Sequence, residues 1–166
     1  MIILGIDPGI AIVGYGVIKF EAGRFSVIDY GAVTTKAGMK LSDRLRNIYE
    51  DIHILIERFK PDVCAIEELF FNTNVTTGIA VAHGRGVIML AATVQNLPVY
   101  EYTPLQVKQA VTGYGRADKA QIQRMVKSLL NLPAVPKPDD VSDALAVAIC
   151  HAHNSGYQKL TKTEGV

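Results

Sequence analysis

The β-rich region at the amino end is the sequence feature that most restricts the fold. Residues 2–7, 11–20 and 25–34 are rich in Val, Ile, Tyr and Phe, residue types that favour strands. Pro8-Gly9 separates the first two segments, and Glu21-Ala22-Gly23 separates the second from the third. Connections this short join antiparallel neighbours. The sequence therefore predicts that the chain begins with an antiparallel meander of three strands.

Helical patterns and short strands alternate in the next part of the chain. Apolar residues recur at helical spacing over 41–59 and predict an amphipathic helix that ends before Pro61. Residues 63–68 (VCAIEE) and 98–102 have the composition of short strands, and a helical pattern covers 75–95 between them. The sequence therefore predicts a fourth and a fifth strand, each preceded by a helix.

Further helices are expected after the fifth strand. Pro104 suits the first turn of one helix, and Gly113 and Gly115 end it. Asp118 and Gln121 form a capping-box pattern at the start of another. A loop rich in proline then leads into the last helix, over 140–153. The order βββαβαβα indicates an α/β fold in which helices flank both faces of a five-stranded mixed sheet.

The size and composition of the chain fit one compact domain. Of 166 residues, 49% are hydrophobic, which is enough for a sizeable core. We assign residues 1–154 to this domain and the polar residues 155–166 to a flexible tail. The apolar stretch VIMLAATV is too short to span a bilayer, and the two cysteines lack metal-ligand spacing. We expect a cytoplasmic protein with reduced thiols and no membrane partner.

Acidic residues follow two of the predicted strands. Asp7 ends the first strand, and Glu67 and Glu68 end the fourth; alternation along a strand lets only one of this pair face Asp7. If the two strands are parallel neighbours, as the helical crossover permits, their acids lie side by side where α/β proteins bind ligands. Each residue alone has a simpler explanation: Asp7 could cap the turn, and Glu67 could be a strand-end charge.

Two more acids lie at the start of the last helix. Asp140 and Asp143 are three residues apart and therefore project from one face of the helix. Asp140, or its neighbour Asp139, could simply cap the helix. Asp143 precedes the apolar run ALAVAI, where a buried charge without a cation would be expensive. We therefore predict that this helix adds two carboxylates to those of Asp7 and Glu67.

Four carboxylates in one place predict a metal site. They repel one another unless hard divalent cations neutralise them, and oxygen ligands of this kind select Mg²⁺ or Mn²⁺. Two such ions about 3.5–4 Å apart can hold the attacking and the leaving oxygen of a phosphodiester. The constellation therefore favours hydrolysis of a nucleic-acid backbone.

A local excess of basic residues supports a nucleic-acid substrate, although the net charge is only +1. Between residues 106 and 127 a single acid, Asp118, accompanies five basic residues, which are Lys108, Arg116, Lys119, Arg124 and Lys127. Such a stretch could be a solvated helix face. Beside an acidic site, it would hold the phosphates that the carboxylates repel.

Several longer motifs carry a resemblance to a known family. They are GIDPG at 5–9, AIEELFF at 65–71, GRG at 84–86, YTPLQVKQAVTGYGRADKAQIQRMV at 102–126 and PDDVSDALAVAICHAH at 138–153. On these motifs, the chain up to about His153 resembles the RuvC-type Holliday-junction resolvases, which have a ribonuclease H-like fold. The resemblance implies a structure-specific endonuclease that resolves four-way DNA junctions in recombination and repair.

The resemblance also implies roles for individual residues. It makes four residues the catalytic, metal-binding acids: Asp7, Glu67, Asp140 and Asp143. Lys108 and Lys119 match family lysines needed near the scissile strand. Phe70 matches an aromatic residue that engages bases at the junction centre, as a ring stacking on an unpaired base would. We further expect contacts with the DNA backbone from four other basic residues: Arg85, Arg116, Arg124 and Lys127.

The resemblance implies a reaction and partners as well. A metal-activated water attacks a phosphodiester and leaves a 5′-phosphate and a 3′-hydroxyl, with two Mg²⁺ ions per active site and Mn²⁺ as a substitute. Two cuts in strands of like polarity suit a homodimer, whose contact in the family involves the helix after strand four, here around residues 77–92. The RuvA–RuvB branch-migration complex is the implied protein partner.

Three other functions fit parts of the sequence. A ribonuclease H-like enzyme acting on RNA would use the same metal chemistry, but the motifs at 102–126 and 138–153 argue against it. A non-catalytic junction-binding module would have no use for acids that repel DNA. GIDPG followed by a hairpin also resembles the phosphate loop of actin-like and sugar-kinase-like ATPases, which need a second lobe for which this chain is too short.

Overall fold

The computed structural model describes the backbone of residues 1–69 and 75–163, and the side chains of residues 1–69 and 78–155. Its strands are β1 (Ile2–Asp7), β2 (Ile12–Glu21), β3 (Arg24–Thr34), β4 (Val63–Glu67) and β5 (Val99–Tyr102). Its helices are α1 (Leu41–Phe59), α2 (Val75–Val94), α3 (Pro104–Thr112), α4 (Lys119–Leu129) and α5 (Asp139–Thr163). The predicted order of strands and helices is confirmed.

Within the described residues, the strands form one mixed five-stranded sheet in the order β3-β2-β1-β4-β5. β1 pairs antiparallel with β2, and β2 with β3, whereas β4 runs parallel to both β1 and β5. The register pairs Ile6 with Ile66, so Asp7 and Glu67 follow paired residues at the same edge of the sheet. The predicted meander is confirmed, and β1 and β4 are the parallel neighbours that the helical crossover permits.

Helices cover both faces of the sheet. Side chains alternate along β1, so Ile3 packs with Leu145 of α5 on one face, together with apolar residues of α3 and α4. Leu4 packs on the other face with Ile48 of α1 and Ile88 of α2. The predicted three-layer α/β architecture is confirmed. Among the described residues, no helix is at once long and apolar enough to cross a membrane.

Glycines in β1 and β2 let α5 lie directly on the backbone of the sheet. A Cβ atom on Gly14 would collide with the carbonyl oxygen of Asp140, and one on Gly5 with the carbonyl oxygen of Ala144. Gly14 is also the residue that pairs with Asp7 in the β1–β2 ladder. Because only glycine permits so close an approach, the first turn of α5 comes next to the end of β1.

Capping residues set the ends of the helices around this edge of the sheet. At the start of α3, the side chains of Thr103 and Gln106 accept hydrogen bonds from each other's backbone N–H groups, and Asp118 and Gln121 do the same at the start of α4. Gly113 ends α3 in the left-handed conformation, at φ +72°, which glycine adopts without strain. The predicted starts of both helices and the end of α3 are confirmed.

The last helix is longer than predicted. α5 runs from Asp139 to Thr163, so its predicted end at residue 153 was wrong. Residues 154–163 contain no proline, which would have interrupted the helix. The division into a domain at 1–154 and a flexible tail at 155–166 stays a prediction, now for a segment that is helical as far as Thr163.

Candidate active site

Three elements of the fold bring four carboxylates to one edge of the sheet. Asp7 ends β1, and Glu67 ends the parallel neighbour β4. Asp140 and Asp143 lie near the start of α5, whose backbone rests on β1 and β2 through the glycine contacts. The charges of Glu67, Asp143 and Asp140 all act on Asp7. The four acids predicted from the sequence therefore share one electrostatic environment.

Asp7 is strongly affected by this environment. Burial, together with the negative charges of Glu67, Asp143 and Asp140, raises the pKa of Asp7 from 3.8 to about 8, against the lowering effect of Lys119. A carboxyl group with so high a pKa keeps its proton at neutral pH unless a cation is close. Ionised Asp7 is therefore costly in the protein alone.

Glu67, rather than Glu68, faces Asp7. Burial and the charge of Asp143 raise the pKa of Glu67 from 4.5 to about 7, while Lys108 and Lys119 lower it. Glu68 follows the last residue of β4, and its N–H donates to the carbonyl oxygen of Tyr102 on β5 at 2.8 Å. Alternation along the extended chain directs the two glutamate side chains to opposite faces.

A lysine lies among the acids. The Nζ of Lys119 is 3.2 Å from Oδ2 of Asp143 and 3.5 Å from Oδ2 of Asp139. Burial would lower the pKa of Lys119, but these two carboxylates outweigh burial and raise it. Asp139 also accepts a hydrogen bond from Nζ of Lys137 at 2.8 Å, which lowers the pKa of Asp139. Asp139 is therefore a surface acid shared by two lysines rather than a member of the buried group.

Four charged residues line an open cleft of about 230 Å³. Glu67 and Asp143 contribute its acidic side chains, and Lys108 of α3 and Lys119 of α4 contribute basic ones. Apolar residues of α3, α4 and α5 complete the wall: Pro104, Val107, Ile122 and Ala146. The cleft thus presents carboxylates and ammonium groups to one ligand.

The donor set fits hard divalent cations. Carboxylate oxygens are the ligands that Mg²⁺ and Mn²⁺ prefer, and burial raises the pKa of Asp7, Glu67 and Asp143, a cost that a bound cation removes. Within the described part of the chain, no three His, Cys, Asp or Glu side chains are arranged around one ion position. In the protein alone, the ammonium group of Lys119 compensates the charge of Asp143.

The predicted contacts with DNA differ in their exposure. Lys108 and Lys119 line the cleft. Arg116 precedes α4 and Arg124 lies on it, both exposed, while Lys127 near the end of α4 is half-buried. These positions leave all five side chains available to a polyanion, and their contacts with DNA stay predictions. Phe70 lies outside the described residues, so its contact with bases also stays a prediction.

Arg85 is engaged in contacts within the protein. Its Nε donates to the carbonyl oxygen of Glu67 at 3.2 Å, and its Nη2 pairs with the carboxylate of Glu101 on β5. The sequence analysis did not identify Glu101, because no spacing rule places this residue of β5 beside α2. The expected contact of Arg85 with the DNA backbone stays a prediction that competes with these internal bonds.

The fold defines the class of protein. A mixed sheet of this strand order, with helices on both faces, is a ribonuclease H-like fold. The solved structure of Thermus thermophilus RuvC matches with a TM-score of 0.88 and 34% identity, over 95% of this chain and 97% of that chain. Thermus thermophilus RuvC in complex with a Holliday junction substrate matches with a TM-score of 0.87 and 32% identity, over 95% and 96%.

The sequence comparisons define the family. The family model for RuvC, crossover junction endodeoxyribonuclease, matches residues 3–151. A relative from Ruminiclostridium cellulolyticum, described as crossover junction endodeoxyribonuclease RuvC, is 63% identical over 154 residues, which are 93% of each chain. The chain therefore belongs to the RuvC family of crossover junction endodeoxyribonucleases. The predicted fold, family and enzyme class are confirmed.

Proposed function

We propose that this protein resolves four-way DNA junctions by paired, symmetric nicks in homologous recombination and DNA repair, leaving 5′-phosphate and 3′-hydroxyl ends. The observation that carries the proposal is the convergence of four acids beside the lysines of the cleft, in a member of this family. Carboxylates alone repel a phosphate backbone, and lysines alone only bind it. Together they suit a site that both holds and hydrolyses a phosphodiester.

The acids would hold two Mg²⁺ ions, or Mn²⁺ in their place, through Asp7, Glu67, Asp140 and Asp143. When bound, such ions activate water and stabilise the negative charge that develops on the phosphate. The protein itself contributes orientation. Paired strands fix the backbone of Asp7 and Glu67, and the glycine contacts fix the start of α5. The acids are therefore held in position before substrate arrives.

The lysines would take the phosphates next to the cut. Lys119 holds Asp143 in the free protein, and its side chain is 55% exposed, so it can turn towards a phosphate. Lys108 lines the same cleft and lowers the pKa of Glu67, which favours the ionised acid. Arg116, Arg124 and Lys127 would extend the contact along the DNA backbone. Phe70 would stack on an unpaired base at the junction centre.

Two copies of the chain would supply the two cuts. α2 presents the apolar side chains of Ile79, Leu90 and Val94, which are 52%, 53% and 57% exposed. At Gly86, no heavy atom of the described residues meets an added Cβ within 4 Å, which leaves room for a second helix. The helical spacing of these positions puts them on one side of α2. A homodimer through this side presents two equivalent sites to a nearly two-fold junction.

The family resemblance supplies the remaining parts of the proposal. It implies that the protein works in the cytoplasm with the RuvA–RuvB branch-migration complex. Nicks that leave a 5′-phosphate beside a 3′-hydroxyl can be sealed by a ligase, so the products suit a pathway that restores two intact duplexes.

Cleavage of an end-labelled synthetic four-way junction tests the proposal directly. The junction is incubated beside a linear duplex and an RNA–DNA hybrid, with Mg²⁺ and with a chelator. We expect paired, symmetric nicks confined to the junction and dependent on the metal. Cleavage of the hybrid instead would indicate an enzyme that acts on RNA, and tight binding without any cut would indicate a junction-binding module.

A further inference from the structure

The carbonyl group of Glu67 has no donor from the β1–β4 ladder. The parallel pairing between these strands ends at Ile6 and Ile66. One step further, the regular pattern of a parallel ladder would direct the N–H of residue 8 to the carbonyl oxygen of Glu67. Residue 8 is Pro8, which has no N–H. The peptide that carries Glu67 therefore needs a donor from elsewhere.

Arg85 of α2 supplies that donor. Its Nε donates to the carbonyl oxygen of Glu67 at 3.2 Å, while its Nη2 pairs with the carboxylate of Glu101 on β5. The side chain of Arg85 is 17% exposed, and that of Glu101 is 44% exposed. One guanidinium thus links the end of β4 to the neighbouring strand in a largely buried position.

A close helix contact holds Arg85 in place. A Cβ atom on Gly84 would lie 2.5 Å from the carbonyl oxygen of Gly9 in the β1–β2 turn, so glycine lets α2 approach the turn this closely. Ile88, one turn further along α2, is fully buried against the sheet. The helix is therefore fixed on both sides of Arg85, and the guanidinium reaches Glu67 from a rigid element.

We propose that Arg85 is a positioning residue for Glu67: its guanidinium replaces the ladder donor that Pro8 lacks, and Glu101 orients the guanidinium. This inference rests on the proposed role of Glu67 as a catalytic acid. Two of the three guanidinium nitrogens of Arg85 are engaged within the protein, which distinguishes this role from a contact with the DNA backbone. Loss of Arg85 therefore slows the chemical step and leaves junction binding intact.

The test compares Arg85→Gln, Arg85→Lys and Glu101→Gln with Arg124→Gln, a matched change of an exposed arginine. Single-turnover cleavage with Mg²⁺ measures the chemical step, and junction binding without metal at several salt concentrations measures Kd and its salt slope. For R85Q we expect cleavage slower by about 10–100-fold, with an unchanged Kd and salt slope.

The other variants sharpen the comparison. Lysine donates from a single point and cannot match the fork of arginine, so R85K should recover part of the cleavage rate. E101Q should also slow the chemical step, but by less than R85Q does. R124Q should bind the junction more weakly, with a salt slope smaller by about one.

Three results would overturn the inference. A higher Kd and a smaller salt slope for R85Q, at an unchanged cleavage rate, would make Arg85 a DNA contact. Parallel losses of cleavage, binding and Tm would make it merely structural. If R85Q does not fold, the E101Q variant provides the test. An unchanged cleavage rate in E101Q would then reject the positioning role of Arg85. Failure of the proposed function looks different, because the unaltered protein itself would then leave the junction uncut.

Discussion

Asp7 combines burial with several negative neighbours. Both effects raise its pKa to about 8, so the ionised form is unfavourable in the metal-free protein. Asparagine has nearly the same shape without the charge. A residue whose charge costs stability is typical of a functional site. Replacing Asp7 should therefore remove activity and leave the fold intact or more stable.

Asp7→Asn should slow junction cleavage by about 10²-fold or more, because the cation site loses a carboxylate. Binding of the junction without metal should stay the same or tighten, since a negative charge disappears while the lysines remain. Cleavage and gel-shift assays measure the two effects. Glu57→Gln on α1, an acid whose side chain is 65% exposed, is the matched control and should change neither. Loss of both binding and fold in D7N would make Asp7 a structural residue.

The same substitution should change how stability depends on pH in the metal-free protein. The folded-state pKa of Asp7, about 8, lies above the value of about 4 in an unfolded chain. The folded state therefore keeps a proton that the unfolded state releases, and its stability falls as the pH rises from about 4 to 8. In thermal unfolding with a chelator, the Tm of D7N relative to that of the unaltered protein should rise as the pH increases across this range. A Tm difference that is independent of pH would contradict the raised pKa.

Lys119→Gln should slow cleavage strongly, whereas Lys137→Gln should not. Both lysines contact Asp139, but Lys119 also contacts Asp143 and lines the cleft. We expect K119Q to cleave about 10²-fold more slowly at saturating junction, because a charge beside the reacting phosphate is lost. Single-turnover rates for K119Q and K137Q measure the difference. Equal cleavage rates in the two variants would contradict the role of Lys119 in cleavage.

The start of α5 was predicted from the sequence, whereas its end was not. Its start follows from the spacing of Asp140 and Asp143 and from the apolar run behind them. Its predicted end at residue 153 was wrong, because the helix continues to Thr163 through residues that include no proline. The glycines Gly5 and Gly16, which pair across β1 and β2, are a signal that the sequence analysis did not use. Facing glycines in adjacent strands indicate that another backbone approaches closely.

Contacts between distant elements are the part of the site that the sequence did not predict. The order of strands permitted the end of β1 to lie beside the end of β4, and the structure shows this parallel pairing. The pairing of Arg85 with Glu101, and of Lys119 with Asp139, depends on helix orientation and side-chain rotamers. No spacing along the chain specifies either, so these contacts require the three-dimensional structure.

Gly14→Ala should destabilise the protein and slow cleavage. The added methyl group meets the carbonyl group of Asp140, which can move only together with the first turn of α5. Overpacking of this kind costs about 1–3 kcal/mol, and the shift displaces Asp140 and Asp143 from Asp7. Chemical denaturation and single-turnover cleavage measure the two effects. Ser26→Ala, at an exposed position of β3, is the control and should change neither stability nor cleavage. Unaltered cleavage in G14A would mean that another contact positions α5.

The cleft and the exposed side of α2 belong to helices on opposite faces of the sheet. The cleft lies between α3, α4 and α5, which pack on one face of the sheet. α2 packs on the opposite face. A dimer formed through the exposed side of α2 therefore leaves both clefts open to DNA, as two cuts in one junction require.

Leu90→Glu should give a monomer that no longer makes paired cuts. Leu90 is 53% exposed, so a charge there costs little in one chain but would be buried without a partner in the dimer. Ile54→Glu is the matched control, since Ile54 lies on α1, the other helix of that face, and is 56% exposed. Sedimentation, together with the ratio of paired to single nicks in a cruciform plasmid, measures the outcome. A dimeric L90E would reject α2 as the contact.

The assembly of the acidic edge from β1, β4 and α5 also restricts when the protein can act. A ribosome adds about 5–20 residues per second, so a growing chain carries Asp7 and Glu67 for some time before α5 exists. During that interval the edge of the sheet lacks Lys119, Asp140 and Asp143. If these residues form the catalytic site as proposed, an unfinished chain has no complete site and does not cleave the DNA of the cell that makes it. The acids of β1, β4 and α5 therefore come together only after α5 has folded against the sheet.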